Sequence, residues 1–484
     1  MSKRISSCSI AIATLLFLTT HVSRAAGLES QLDSLINLEP VKGASWSILF
    51  ADVESGHDIA AIDAERLLIP ASVTKLWSTA AAFQTLGPDY RFSTKIVSGS
   101  GMDAQGGVSG AVKVICTGDP MFDRKYRKDI GKPALDKMAD ELYAKGLRSI
   151  NGDLEIVVSR FKRSCGNGVW EMGDLREGFA PSVDGTGYNS NVCHIAIGPG
   201  MAEGLGADVI IDPPFAPVKV LNNVVTNSGA DESWIEFNVT PCRDELEISG
   251  VMARGDDPQY IWFPIQEPAY YFGLALKDAL ARKGITVSGK VIVSRNSNGN
   301  GTVLLEFFSP PVTDIAAITN KDSDNYLAEY LLSASGYKEF GEGSPSSGLR
   351  VVQKIARQFG VHRDQVSLQD GSGLSRQNIV SARANVQLLI KIAKSEFAND
   401  FEASLSQSGV DGTVGGRLST DGLLGRVRAK TGTMTNVSAL AGYIGLDSGR
   451  KLAFAILCNN FRCSRNFVRN IQDNMVRAVY RAAN

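Results

Sequence analysis

Ser72 and Lys75 stand three residues apart in "LLIPASVTKLWSTAAAFQTLG", residues 67–87, a stretch otherwise apolar enough to be buried. On a helix this spacing puts both side chains on one face. Burial among Leu68, Leu76, Trp77 and Ala80 disfavours an ammonium ion and lowers the lysine pKa, leaving a neutral amine able to take the serine proton. Alone, Ser-x-x-Lys is a weak pattern, because a lysine usually lays its stem along apolar surface and keeps its charge in water. Two further triplets strengthen it: Ser323-Asp324-Asn325 in "KDSDNYLAEY" and Lys430-Thr431-Gly432-Thr433 in "RAKTGTMTN". Ser323 can relay a proton between the lysine and a leaving nitrogen, and Asn325 can hold Lys75 and donate to a substrate carbonyl. Lys430 with the hydroxyls of Thr431 and Thr433 suits a substrate carboxylate, while Gly432 lets a strand backbone approach closely. Backbone N–H groups of Ser72 and Thr433 would form the oxyanion hole. Each later triplet has a plainer reading, a helix cap for one and an exposed strand end for the other. All three in this order, on a helix, a loop before a helix and a strand, point to acyl transfer through an acyl-serine.

The elements that must position these residues can be read from periodicity. "ASWSILFADVESGHDIAAID" predicts two strands around the turn-forming Glu54-Ser55-Gly56. A core helix follows, with Pro70 in its first turn and an end near Gly87-Pro88. From about Arg91 to Leu305 the chain changes to short β-type runs such as "GAVKVICTGDP", "GDLEIVVS" and "VSGKVIVS", separated by Gly, Pro and Asp. "SRNSNGNGT", ending at Thr302, is linker-like and marks the return. Helical patterning resumes in "VTDIAAITNKDSDNYLAEYLLSAS", "GLRVVQKIARQFG" and "SARANVQLLIKIAKSEF", the last with Ser381 as N-cap. "VRAKTGTMTNVSALAGYIGL" and "KLAFAILCNNF" suit antiparallel strands, and an amphipathic helix closes the chain. Strands from both ends can pair in one sheet packed on the helices between them. The expected fold is therefore mixed α/β (α+β) with a large β-rich insertion.

The chain has 484 residues, 44% hydrophobic and 21% charged, which allows a large core and two or three domains. Its start reads as an export signal: Lys3 and Arg4, an apolar run from Ile10 to Leu18 too short to span a bilayer, then Ser23 and Ala25 before a cleavage point. Cleavage after Ala25 would remove Lys3, Arg4 and Arg24 and no acid, leaving a mature chain more acidic than the formal net charge of −1. A polyanionic partner such as nucleic acid is not expected. Cys8 would leave with the signal. Cys116, Cys165, Cys193, Cys242, Cys458 and Cys463 remain, an even set compatible with disulfides of undetermined pairing or with buried thiols. Cys458 and Cys463 are close enough in sequence to close a small loop.

The three motifs resemble those of the class C low-molecular-mass penicillin-binding proteins, D-alanyl-D-alanine carboxypeptidases/endopeptidases. The similarity extends to "GDP" at Gly118–Pro120, Trp170 with the following "GDL", "YNSN", "SPPVTDIAAITNKDSDNYLAEYLL" and "DGSGLSR" at Asp370–Arg376, and so spans nearly the whole mature chain. It implies a β-lactamase/transpeptidase-like domain, an antiparallel sheet flanked by helices, from residues 26–92 and 303–484. Residues 93–302 would form an insertion, one domain with another nested inside, which accounts for the long interval between Lys75 and Ser323. It further implies an exported serine peptidase acting on peptidoglycan stem peptides in the periplasm or at the cell wall. Catalysis would fall to Ser72, Lys75, Ser323 and Asn325, and substrate binding to Lys430, Thr431, Gly432 and Thr433. No cofactor or metal is implied, and β-lactams would be covalent inhibitors. The cysteines are not part of the family pattern, and "PSVDGTGYNSNVCHIAIGPG" matches only in part.

Three other readings were weighed. A zinc peptidase would need clustered histidines, whereas His57, His194 and His362 are far apart without metal-ligand spacing. A β-lactamase or esterase shares the acyl-serine and differs in how fast water releases it. A non-catalytic wall-binding protein would not need intact motifs.

Overall fold

The computed structural model describes residues 27–123, 130–229, 232–296 and 300–484. The expected export signal, residues 1–25, lies outside the described residues, as does part of the linker-like segment before Thr302.

Both ends of the chain build one antiparallel six-stranded sheet, in the order Ser406–Gln407, Val427–Met434, Val437–Gly445, Lys451–Asn459, Ser45–Asp52 and Asp58–Ile62. The expected hairpin around Glu54-Ser55-Gly56 is its edge. Ser45–Asp52 pairs with Lys451–Asn459 over its full length, Phe50 facing Phe454 and Trp46 facing Cys458. These central strands are buried on both faces, so they read as continuous apolar runs rather than alternating ones. Size alternates instead. Leu49, Ala51, Ala439, Ala441, Ala453 and Ala455 face a cluster of helices that comes close over small side chains. Ile48, Phe50, Leu440, Phe454 and Ile456 face the C-terminal helix Arg465–Ala483 and the helical residues 27–36.

The helix cluster comprises Lys75–Thr85, Val312–Lys321, Asn325–Phe340, Pro345–Gln358 and Ala382–Ala393. Ser381 caps the last of these, its hydroxyl accepting from Ala384 N at 3.0 Å. The continuous helical pattern from Val312 into Tyr326 is in fact two helices, broken at Asp322-Ser323-Asp324.

Residues 93–308 are less purely β than their pattern predicts. A five-stranded sheet, ordered Val291–Ser294, Leu154–Val157, Val112–Cys116, Ser93–Ser98 and Thr302–Phe308, packs against helices Ala134–Ala144 and Pro268–Lys283. Its first and last strands in sequence pair with each other, so the segment leaves and returns side by side. Within it, two three-stranded sheets share a separate core. One orders as Lys219–Asn227, Glu245–Ala253, Trp234–Val239, the other as Gln259–Pro264, Val192–Gly198, Asp208–Asp212. Cys165 and Cys242 form a disulfide across a separation of 77 residues, fastening the loop after the first sheet to this inner core. Cys458 and Cys463 are both free, so the small loop they could have closed is not covalently closed; Cys458 is committed to the sheet interior.

Candidate active site

The turn that carries Ser72 is not the regular helix the spacing predicts. Ala71–Thr74 form a 3-10 turn that runs into the α-helix at Lys75, with Pro70 just ahead and Ala71 at φ 46°. In 3-10 geometry residues i and i+3 eclipse, and Lys75 Nζ lies 2.9 Å from Ser72 Oγ. The turn is clamped from the strand side by Gly432, where a Cβ would sit 2.3 Å from Pro70 O and 3.1 Å from Ser72 N. The expected close approach at Gly432 is therefore met, and only glycine fits.

Lys75 is completely buried, and its three N–H groups are all placed: on Ser72 Oγ at 2.9 Å, Asn325 Oδ1 at 2.7 Å and Ser372 O at 2.6 Å. Burial pulls its pKa from 10.5 to about 8, against the opposing pull of Asp370, Asp324 and Glu329. A neutral fraction is thus accessible near physiological pH.

Ser323 and Asn325 come from the break between two helices. Ser323 is held at φ 60°, a conformation a serine adopts only when its surroundings impose it. Asp324 caps the helix Asn325–Phe340 by accepting from Leu327 N at 3.0 Å. The helix-cap reading and the catalytic reading thus coexist, with Asp324 taking the first. The Asn325 amide is oriented at both ends, since its Nδ2 donates to Phe179 O at 2.9 Å.

Lys430, expected with the hydroxyls of Thr431 and Thr433 to suit a substrate carboxylate, is fully buried and donates to Ser323 Oγ at 2.9 Å and Thr431 O at 2.8 Å. Burial and the neighbouring Lys75 hold its pKa well below the usual lysine value. Strand alternation puts Lys430 on the same face as Gly432, the face that meets the serine turn. The cleft itself, about 380 Å³, is lined by Ser72, Ser323, Asn325 and Thr433, not by Lys430, Thr431 or Gly432. Arg469 of the C-terminal helix donates to Thr433 Oγ1 at 3.3 Å.

The groups that frame these residues lie outside the three catalytic triplets. Glu329, one turn beyond Asn325, is buried and accepts from Gly371 N at 2.9 Å and Ser372 N at 2.8 Å. Burial and the nearby Asp370 raise its pKa to about 8. Asp370 accepts from Gly373 N, Ser375 N, Asn378 Nδ2 and Trp170 Nε1, so "DGSGLSR" and Trp170 are tied together at one carboxylate. Glu171, Asp174 and Arg376 give the cleft a charged outer rim. A lone acid inside the apolar run "NYLAEYLL" was the available signal for Glu329. Among the described residues, no group of three or more His, Cys, Asp or Glu side chains is arranged to hold a metal.

A serine paired with a buried lysine, a second serine paired with a second buried lysine, and an asparagine between them suit nucleophilic attack and proton transfer on an amide carbonyl. The family model for the D-Ala-D-Ala carboxypeptidase 3 (S13) family matches residues 28–482. The chain is 28% identical to a D-alanyl-D-alanine carboxypeptidase of Actinomadura sp. (strain R39), covering 90% of this chain and 82% of that one. It is 26% identical to D-alanyl-D-alanine carboxypeptidase DacB of Haemophilus influenzae over 95% and 94% of the two chains. The crystal structure of penicillin binding protein 4 (dacB) from Haemophilus influenzae superimposes with a TM-score of 0.81 at 25% identity, over 93% of this chain and 99% of that chain.

Proposed function

We propose that this chain, which belongs to the D-Ala-D-Ala carboxypeptidase 3 (S13) family and is a serine-type D-Ala-D-Ala carboxypeptidase, acts outside the cytoplasm on peptidoglycan stem peptides through an acyl-Ser72 intermediate. The observation that carries the reading is the contact of the fully buried Lys75 Nζ with Ser72 Oγ on the cleft. Neutral Lys75 takes the Ser72 proton as Oγ attacks the carbonyl of the penultimate D-alanine. The new O⁻ is met by the backbone N–H groups of Ser72 and Thr433, both on the cleft. Ser323, backed by Lys430, gives its proton to the departing nitrogen and takes back the one Lys75 received from Ser72, as the C–N bond breaks to release D-alanine. Water then attacks the ester carbonyl, its proton passes by way of Lys75 to Ser72 Oγ, and the acyl C–Oγ bond breaks to release the shortened peptide as its carboxylic acid. The same steps with a cross-linking amine as leaving group give endopeptidase action.

Substrate alignment follows from the strand Val427–Met434. Its outer neighbour, Ser406–Gln407, pairs only with Arg428 and Ala429, so the backbone from Lys430 onward is an edge that an extended peptide can join. The terminal carboxylate then reaches the hydroxyl of Thr433, with Arg469 behind it adding positive charge. Lys430 serves Ser323 in this scheme, while Gly432 lets the strand lie against the nucleophile turn. On the same reading the catalytic domain comprises residues 26–92 and 303–484, and 93–302 is the insertion. Residues 1–25 act as the export signal, β-lactams acylate Ser72, and no cofactor takes part.

Release of D-alanine from a soluble acyl-D-Ala-D-Ala peptide tests the assignment. Ser72→Ala should abolish it; release at the wild-type rate would show that another nucleophile operates.

A further inference from the structure

A second groove, about 1140 Å³, lies beside the catalytic cleft. It runs between two sheet edges, the strands Trp234–Val239 and Gln259–Pro264, and is lined as well by residues 176–179. Phe179 lines both spaces, and its carbonyl holds the Asn325 amide at 2.9 Å. Gly178 is pressed against the edge strand Gln259–Pro264, where a Cβ would meet Trp262 Cβ at 2.7 Å. The two sites are thus neighbours separated by one short segment.

The chemistry of the groove is specific. Tyr260 and Trp262, two residues apart and so on one face of their strand, are 68% and 59% exposed, unusual for large aromatic rings. The Trp262 ring is braced by His194 at 4.0 Å between centroids. Across from these rings stand Glu236, Glu247 and Asn238, acceptors and donors at short spacing, with Asn238 Nδ2 reaching Glu247 Oε2 at 3.4 Å. Flat apolar faces flanked by carboxylates and amides match a ligand with C–H faces and rims of hydroxyl and amide groups, as pyranose rings have. The glutamates repel a polyanion. A strand-adding peptide would use the sheet edges but would give the projecting rings and acids no role.

We propose that this groove binds the amino-sugar chain to which the stem peptide is attached, so that the substrate is held at both its glycan and its peptide. This rests on the peptidoglycan reading above. Five extended residues span at most about 17 Å, a reach suited to two neighbouring sites.

Calorimetric titration with the N-acetylglucosamine tetramer, which carries no peptide, tests the sugar site directly. The wild-type protein should bind it, and Trp262→Ala and Tyr260→Ala should each weaken binding about 10-fold. Both variants should keep the wild-type unfolding temperature, benzylpenicillin acylation and turnover of a soluble D-Ala-D-Ala peptide, but release D-alanine several-fold more slowly from intact glycan strands. No binding of the tetramer, or equal binding by the folded variants, overturns the proposal. A sugar-free stem peptide whose affinity falls in Trp262→Ala also overturns it, in favour of a peptide groove. Failure of the peptidoglycan reading would show separately, as no release of D-alanine from the soluble D-Ala-D-Ala peptide by the wild-type protein.

Discussion

Lys75 and Glu329 are joined through a single residue, Ser372, whose carbonyl accepts from Lys75 Nζ at 2.6 Å and whose N–H donates to Glu329 Oε1 at 2.8 Å. A buried acid thereby sets the position of the buried amine. Glu329→Gln keeps the accepting oxygen and should retain most activity. Glu329→Ala leaves two buried N–H groups unpaired, which costs about 1–3 kcal/mol each. Its kcat should drop about 10-fold or more as Ser372 shifts. Equal kcat in the alanine variant would remove Glu329 from the positioning chain.

The same acid gives a pH-dependent stability. Its folded pKa, about 8, is raised above the unfolded value of 4.5, so the folded state binds the extra proton between those limits. Its contribution is fully present below 4.5 and is lost as pH rises through about 8. Thermal unfolding of wild type against Glu329→Gln should therefore show the wild type losing ground across that window. Parallel profiles would contradict this.

Lys75 titrates in the opposite sense. Only its neutral form accepts the Ser72 proton, so with a pKa of about 8 the acylation rate should rise through that pH and level off above it. Lys75→Arg keeps the charge but cannot deprotonate and should lower acylation by about 100-fold or more. A flat pH profile, or a fast arginine variant, would require another base.

Thr433 faces the cleft and Lys430 does not. Replacing the substrate carboxylate by an amide should therefore cost the wild type about 10- to 100-fold in kcat/KM, and Thr433→Val should shrink that ratio. Lys430→Met should slow acid and amide substrates alike, because its partner is Ser323. A selective loss for the acid in Lys430→Met would return the lysine to the carboxylate.

The architecture was largely legible because the strands that build the central sheet are apolar runs with clear turns, and because Ser381 and the Glu54-Ser55-Gly56 turn carry local signals. The catalytic triplets were legible because each needs particular residue types at short spacing. What pattern could not reveal was relation across long separations. Nothing near Asn325 in sequence announces that Phe179, 146 residues away, holds its amide, nor that Cys165 chooses Cys242. The side to which Lys430 turns depends on what lies over each face of its strand. The helices Ala134–Ala144 and Pro268–Lys283 do carry local signals, amphipathic spacing in the first and Pro268 with the left-handed Gly284 at the two ends of the second, but the β-type segments around them obscured these.

The central claim is that Ser72, activated by Lys75, forms the acyl-enzyme. Benzylpenicillin tests it most directly, because its opened ring stays tethered where D-alanine would diffuse away and so hinders the deacylating water. Intact-protein mass spectrometry should show one penicilloyl group, mapped by digestion to the peptide containing Ser72, absent in Ser72→Ala and slow to leave the wild type. An unlabelled wild-type protein that leaves penicillin intact, or a label on another residue, would contradict the account.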